Sequence, residues 1–145
     1  MFMEISKPEY EQLPFLLTTI GSLAHQPLVN RPGGSQFHHF LFVLKGEGRC
    51  RLTDGEWMPL KEKHGFLVRQ GVPVAYEAAG SVFFTAWLTF RGSGAEALLS
   101  YYGVGDALFF EMPDQLGKVS KRWKRACGTR ISAHVRLQHT PLCCS

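Results

Sequence analysis

Charged residues are scarce in this chain, and acidic residues are missing from its last part. Asp, Glu, Lys and Arg make up 19% of the 145 residues, against 45% for the hydrophobic set. This balance is typical of a single globular domain with a packed core and excludes a highly charged disordered chain. Residues 1–117 carry nine basic and twelve acidic side chains, whereas residues 118–145 carry seven basic ones and no acidic one. The positive net charge therefore belongs to the C-terminal part, and the rest of the chain offers nucleic acid no basic surplus.

Cysteines and long apolar runs are also few. The four cysteines match no zinc-binding spacing, and we expect them to be reduced thiols; they are Cys50, Cys127, Cys143 and Cys144. No apolar run reaches the roughly 20 residues that a membrane-spanning helix needs. The polar start, MFMEISKPEYEQLP, is unlike a signal peptide. These features predict a cytoplasmic protein with no membrane partner.

Short apolar segments separated by glycine turns predict a mainly β protein, a small antiparallel β-barrel over residues 15–92. The predicted strands are Phe15–Leu23, Gln36–Leu44, Arg49–Leu52, Glu56–Leu60, Gly65–Arg69, Val74–Glu77 and Val82–Phe90. Lys45–Gly48 and Gly71–Pro73 are predicted to be tight turns. The pair Asp54-Gly55 predicts a type I′ hairpin. The last two strands are expected to pair with each other across Ala78–Ser81.

The pattern becomes helical after the barrel. Ser93–Tyr102 is predicted to be a helix that starts with a capping box of Ser93 and Glu96 and ends at Gly103. Two further helices are predicted, one after Asp114 and one after residue 128. We therefore divide the chain into an extended arm at residues 1–14, the barrel at 15–92 and a helical linker or dimerisation segment at 93–145.

Four segments carry a resemblance to a known family: NRPGG, FVLKGEG, LVRQGVPVAY and WLTFRG, in this order between residues 30 and 92. Their combination resembles the ligand-binding cupin domain, a double-stranded β-helix, of AraC-type transcription regulators. The resemblance implies a small-molecule effector, a sugar in the best-known members, and an arm that closes over the pocket. It also implies a homodimer formed by the helices after the barrel. DNA would be bound only through a helix-turn-helix domain of on the order of 100 residues, which this chain has no room for.

The resemblance implies roles for three residues from separate segments. Arg31 resembles the arginine that hydrogen-bonds the sugar, and Tyr76 resembles a tyrosine of the pocket. Trp87 resembles the tryptophan on which the sugar ring stacks. Each of the three also has an ordinary structural interpretation, as a loop arginine or a core aromatic residue.

Strand alternation adds polar candidates to this set. Residues i and i+2 of a strand share a face, so one face of Val82–Phe90 carries Phe83, Thr85, Trp87 and Thr89. This mixture of hydroxyls and a flat aromatic ring suits a sugar, which has an apolar face and many hydroxyl groups. We predict ligand contacts at Thr85, Thr89, at Thr18 beside Thr19 in the first strand, and at His38.

The cupin motif for a metal is absent. That motif needs two histidines two residues apart, so that both imidazoles reach one ion from the same face of a strand. His38 and His39 are adjacent and must point to opposite faces, so at most one enters the barrel. The following residues, Phe40–Val43, are apolar, and Val74 stands where a further histidine is expected. We predict no metal and no cofactor.

Other functions remain open. A metal-free cupin enzyme, such as a sugar isomerase or epimerase, needs a histidine with an acidic partner lining the barrel, and only His38 or His39 is placed for that. No nucleophile elbow, phosphate loop or Cys-x-x-Cys motif occurs, so we expect a regulator rather than an enzyme. A barrel that only dimerises is a third interpretation. The basic run Lys118–Arg125 has two interpretations, a contact with DNA or the solvated face of a linker helix, and we favour the second.

Overall fold

The computed structural model describes residues 2–5 and 8–112. Its strands are β1 Phe2–Glu4, β2 Leu16–Leu23, β3 Val29–Arg31, β4 His38–Leu52, β5 Met58–Leu60, β6 His64–Val68, β7 Val74–Arg91 and β8 Ala107–Glu111. A single 3-10 turn covers Pro8–Tyr10, and the helix α1 covers Ser93–Tyr101. The mainly β class is as predicted.

The strands pair antiparallel in the order β1-β2-β7-β4-β6-β8, with β3 beside β7 and β5 beside β4. The two long strands β4 and β7 run side by side from the pair His38 and Phe90 to the pair Leu52 and Val74. One half of each strand belongs to the first layer of the barrel, and the other half belongs to the second layer. The first layer contains β1, β2, β6 and β8, and the second contains β3 and β5. This is the cupin-like barrel that the sequence predicts.

Two predicted chain reversals are wrong. The chain continues as strand through Lys45–Gly48 and through Ala78–Ser81, so four predicted strands are the halves of β4 and β7. The halves of β7 pair with β4 rather than with each other. The predicted residues mark bends instead of ends, because a strand must curve sharply to pass from one layer of a barrel to the other.

Glycine permits the bend in β4. The β4–β7 register shifts between Val43 and Lys45 and again between Gly46 and Gly48, as at β-bulges. Gly46 has a φ of 81°, and an added Cβ would lie 1.9 Å from the Val82 carbonyl oxygen. Only a residue without a side chain lets the two strands approach this closely.

Local capping and turn chemistry also differ from the prediction. The Thr53–Gly55 hairpin forms, but the positive φ falls on Thr53 (51°) and not on Asp54, so the turn is not type I′. The N-cap of α1 is Gly92, without a side-chain cap, and no capping box forms. The Pro14 carbonyl accepts the N–H groups of residues 94 and 95 instead, at 2.7 and 3.2 Å. The end of α1 is as predicted, with residue 103 in the left-handed region (φ 68°).

The sheet extends beyond residues 15–92 at both edges. Part of the predicted arm is β1, which pairs with β2. Part of the predicted helical segment is β8, which pairs with β6 and was not predicted. The helices predicted after Asp114 and after residue 128 lie outside the described residues.

Two apolar clusters hold the barrel together. The first lies between the two layers and contains Leu41, Val43, Cys50, Leu60, Phe66, Val68, Val74, Tyr76 and Phe83. The second lies where α1 covers the outer face of the first layer and contains Leu67, Phe90, Ala95 and Leu99. Burial of apolar area on this scale is the main stabilising term in folding. No helix among the described residues is long and apolar enough to cross a membrane.

Candidate ligand-binding site

Polar side chains lie on the inner face of β7, next to the first apolar cluster. Phe83, Thr85 and Thr89 are buried, and Trp87 is half-buried against the cluster. The opposite face of this part of β7 carries Leu88 and Phe90, which pack in the second cluster. The alternation along this strand is therefore as predicted, and it directs two threonines and a tryptophan inward.

Thr89 joins two hydroxyls from β2. The Oγ1 atoms of Thr18 and Thr19 each lie 2.6 Å from Thr89 Oγ1. Consecutive strand residues normally face opposite sides, but the β2–β7 register shifts between Leu17 and Thr19, which lets both reach one partner. A hydroxyl donates one hydrogen bond and accepts two, so Thr89 retains some capacity toward a third group.

Thr85 is held by a residue that sequence analysis missed. Its hydroxyl donates to Gln26 Oε1 at 2.7 Å, and Gln26 Nε2 donates to the Pro27 carbonyl at 3.1 Å. Gln26 is buried although it follows the last residue of β2 by three positions. A single glutamine in a loop produces no periodic pattern, so only the fold reveals that it faces inward.

His39 is the histidine on the inner face of β4, and its ring has no hydrogen-bond partner in residues 2–5 and 8–112. Its side chain is only 3% exposed and lies edge-on to Phe66 and Tyr76, with ring centroids 6.0 and 5.8 Å away. Neither ring nitrogen is hydrogen-bonded within the described part of the chain. Burial, assisted by the charge of Arg31, lowers the pKa of His39 from 6.5 to about 3. The ring is therefore neutral and offers one donor and one acceptor, both unused.

Tyr76 and Arg31 complete this end of the interior. Burial raises the pKa of Tyr76 to about 12, and the charge of Arg31 opposes that rise. Arg31 shares the inner face of β3 with Val29, which packs against the first cluster. Arg31 is half-buried and forms no ion pair with any carboxylate of the described residues.

Two turns hold these residues in place. The Gly34 amide donates to the Arg31 carbonyl at 3.0 Å and closes the RPGG turn. The Gly71 amide, in the turn before β7, donates to the Ser35 carbonyl at 2.8 Å. Gly34 has a φ of 73°, and a Cβ there would lie 2.4 Å from the backbone of Gly71. The two glycine motifs of the sequence are thus packed against each other. One forms the turn that follows β3, and the other forms the turn that precedes β7.

Trp87 is covered in part by the N-terminal arm. Phe2 of β1 stacks on it, with ring centroids 6.4 Å apart and an interplanar angle of 27°. Phe2, Gly21 and Trp87 lie in one line across β1, β2 and β7. Because Gly21 has no side chain, the two aromatic rings meet above it.

His38, one of the predicted ligand contacts, does not lie on the inner face with the other predicted residues. His38 is buried on the opposite face of β4, against Phe90 and α1. Its Nδ1 accepts the Gln70 amide at 3.1 Å, and its Nε2 lies 3.2 Å from Glu96 Oε1. Burial lowers its pKa, and Glu96 opposes that effect. His39 shares its face with the core residues of β4, so it takes the inward position.

Glu96 connects the barrel to α1 and explains why no capping box forms. Besides contacting His38, its carboxylate accepts from the guanidinium of Arg69, which also donates to the Val104 carbonyl at 3.0 Å. The histidine with an acidic partner therefore lies outside the interior, and no carboxylate of the described residues pairs with the interior histidine. No group of three His, Cys, Asp or Glu side chains in the part that the structure describes is arranged to hold a metal ion.

Solved structures with a similar fold include two bacterial proteins. ToxT from Vibrio cholerae has a TM-score of 0.54 at 10% identity, over 76% of this chain and 47% of that one. YhaK from Escherichia coli has a TM-score of 0.55 at 12% identity, over 77% of this chain and 50% of that one. At these identities the likeness is one of fold, and this chain spans about half the length of those proteins. No curated protein sequence matches the chain.

A family model described as the AraC-like ligand binding domain matches residues 19–134. The match includes the last five residues of β2 and all of β3 to β8, and therefore the interior residues described above except Thr18 and those of the arm. The four glycine-containing segments that carried the resemblance in the sequence all lie inside it. Because the model covers most of the chain, this protein belongs to the AraC-like ligand-binding domain family, an effector-binding regulatory domain.

Proposed function

We propose that this domain senses a small hydroxylated molecule, of the sugar class, which binds between the two layers of the barrel. The observation that carries the proposal is His39, a neutral imidazole that is buried with both nitrogens unpartnered among the described residues. Leaving such a group unsatisfied costs about 1–3 kcal/mol, so an apolar residue of similar size would make a more stable core. A hydroxylated ligand would satisfy both nitrogens and account for the histidine.

The other interior residues suit the same ligand. Trp87 offers a flat face for the C–H side of a sugar ring, and Thr89 with Thr18 offers hydroxyls. Tyr76 and Arg31 add donors at the end where His39 lies. Thr85 is engaged with Gln26 and would contact a ligand as an acceptor. His38 is no longer among the proposed contacts, and His39 replaces it.

The arm is the proposed moving part. A ligand on Trp87 would contact or displace Phe2, so its binding free energy would be linked to the position of β1. We propose that this change alters how two copies of the regulator associate through the segment after the barrel. DNA would be bound in the cytoplasm by a helix-turn-helix domain of a longer protein.

The test is a calorimetric and thermal-shift screen of sugars and sugar derivatives, followed by a comparison of two tryptophan variants. Trp87→Leu is expected to weaken binding of any hit by at least about tenfold, the scale of a lost stacking contact of 1.4 kcal/mol. Trp57→Leu is the matched control, because Trp57 lies under Arg49 and Arg51 rather than on the inner face of β7. Equal affinity of both variants would refute binding at the interior site.

The arm is tested with the same hit. Limited proteolysis of residues 1–14 is expected to change in rate when the ligand is added. An unchanged cleavage rate in the presence of a saturating ligand would refute the proposed role of the arm but not ligand binding.

A further inference from the structure

We infer that the effector is a sugar acid, whose carboxylate is held by Arg31 and His39 while its hydroxylated part faces Trp87 and the threonines. This rests on the proposed function, because it assumes that the interior is the effector site. It goes further by assigning the charge of the ligand and the atoms that recognise it.

The first support is that Arg31 brings a positive charge to the inner face, and no carboxylate of the described residues pairs with it. Glu77 pairs with Arg49, and Glu96 pairs with Arg69 and His38. Every other Asp and Glu of the described residues is exposed. No described carboxylate is therefore available to a ligand hydroxyl or to the Arg31 guanidinium. A half-buried cation without an anion beside it favours an anionic ligand, because attraction between charges strengthens as water is excluded.

Arg31 differs in this respect from three other arginines. Arg49, Arg69 and Arg91 each pair with a glutamate, namely Glu77, Glu96 and Glu11. Arg31 instead shares the inner face of β3 with Val29, and its charge acts on both His39 and Tyr76. The planar guanidinium donates in parallel to both oxygens of a carboxylate, a geometry that a neutral sugar hydroxyl cannot match.

The second, independent support is the unpartnered imidazole. His39 is 3% exposed, and both of its nitrogens lack a partner in the described residues. Its N–H would donate to a carboxylate oxygen beside Arg31, and its other nitrogen would accept from a neighbouring hydroxyl of the ligand. A molecule that carries a carboxylate next to hydroxylated carbons supplies both groups at once. Uronic and aldonic acids have this arrangement.

The experiment compares acids with their neutral counterparts. Calorimetry at constant ionic strength measures the affinity of the protein for D-galacturonate and for D-galactose, and likewise for D-glucuronate and for D-glucose. We expect at least one acid to bind about 10–100-fold more tightly than its neutral partner, the range for a charged hydrogen-bonding group. Arg31→Gln is expected to remove this difference, and Arg31→Lys to restore part of it. Arg49→Gln removes the same charge from the pair with Glu77 and is expected to leave the difference intact.

Each alternative outcome has a definite meaning. Neutral sugars that bind as tightly as the acids, or an acid preference that survives Arg31→Gln in a variant with an unchanged circular dichroism spectrum, would overturn the inference and leave the proposed function standing. Acetate binding as tightly as the uronates would overturn the sugar-acid class, because the hydroxylated part would then contribute nothing. If no compound in a broad panel of neutral and acidic sugars binds, both the inference and the proposed function fail.

The location is checked by NMR of the protein labelled at histidine. Addition of the acid is expected to shift the ring signals of His39 and to raise its pKa, because a carboxylate beside the ring favours the charged form. Signals of His25, in the exposed segment after β2, are expected to stay unchanged. A bound acid that leaves His39 unaffected would overturn the assignment of the site.

Discussion

The imidazole of His39 and the ring of Tyr76 meet edge-on, with their centroids 5.8 Å apart. His39 belongs to the first half of β4 and Tyr76 to the first half of β7, so the contact joins the two layers. Arg31 acts electrostatically on both rings. Three groups that each prefer water or a polar partner therefore lie near the apolar cluster, an arrangement that supports the proposed binding site because it is unfavourable in a core optimised for stability.

Replacing His38 or His39 by leucine is expected to have opposite effects on the free energy of unfolding. His39→Leu removes two unsatisfied nitrogens from the interior, so the free energy of unfolding should stay equal or rise by about 1–2 kcal/mol. His38→Leu removes the acceptor of the Gln70 amide and the partner of Glu96. This variant should lower the free energy of unfolding by about 1–3 kcal/mol. Urea unfolding of both variants measures the difference. A larger loss for His39→Leu than for His38→Leu would show that His39 has a structural partner.

The domain is expected to lose stability in mild acid. The pKa of His39 is about 3 in the folded state, below its ordinary value of 6.5, so the unfolded chain binds the proton first as the pH falls. The stability that the folded state gains by keeping His39 uncharged is complete above pH 6.5 and is lost progressively toward pH 3. From His39 alone, we expect a loss of about 2 kcal/mol between pH 8 and pH 5. The lowered pKa of His38 acts in the same direction.

Unfolding curves of the parent protein and His39→Leu across this pH range measure that contribution. The variant should lose less stability on acidification, because only the parent must keep this imidazole neutral. Parallel profiles for the two proteins would contradict the burial of an uncharged His39.

The threonine cluster is expected to behave as one unit. Thr89→Val keeps the shape of the side chain but removes the partner of both Thr18 and Thr19, and should cost about 1–2 kcal/mol. In the double variant Thr18→Val and Thr89→Val, no hydroxyl of that pair is left unpaired. Its cost should therefore be less than the sum of the single variants. Strictly additive free energies in urea unfolding would contradict a direct Thr18–Thr89 hydrogen bond.

The RPGG turn provides a matched pair of glycines. Gly34→Ala would force a side chain into the left-handed region and against the Gly71 backbone, and should cost about 2 kcal/mol or more. Gly33→Ala meets nothing within 4 Å and should change stability by less than about 0.5 kcal/mol. Thermal unfolding of the two variants compares these costs. Equal midpoints would contradict the packing of the two turns.

The sequence was most informative where a pattern has a period. Alternation along Val82–Phe90 correctly sorted its residues into inner and outer faces. The same rule required His38 and His39 to face opposite sides, but which one faces inward depends on the pairing of β4 with β7, where His39 lies opposite Thr89. That register is a tertiary property, and this explains why alternation alone did not show that His39, rather than His38, faces inward.

Glycine was the main source of error. In Lys45–Gly48 it looked like a turn, whereas in the fold it allows β4 to bend and continue. A glycine permits both a reversal and a bulge, and only the neighbouring strand decides between them. Gln26 and β8 were missed for a related reason, since their roles depend on contacts with distant parts of the chain.

The most direct test of effector binding is a crystal structure of the domain with the compound that stabilises it most. We expect electron density for the ligand between the two layers, within hydrogen-bonding distance of the His39 ring and against the face of Trp87. Density confined to the outer surface, for example in the groove lined by Gly46, Lys61 and Val82, would contradict the account if the His39 ring stays unpartnered.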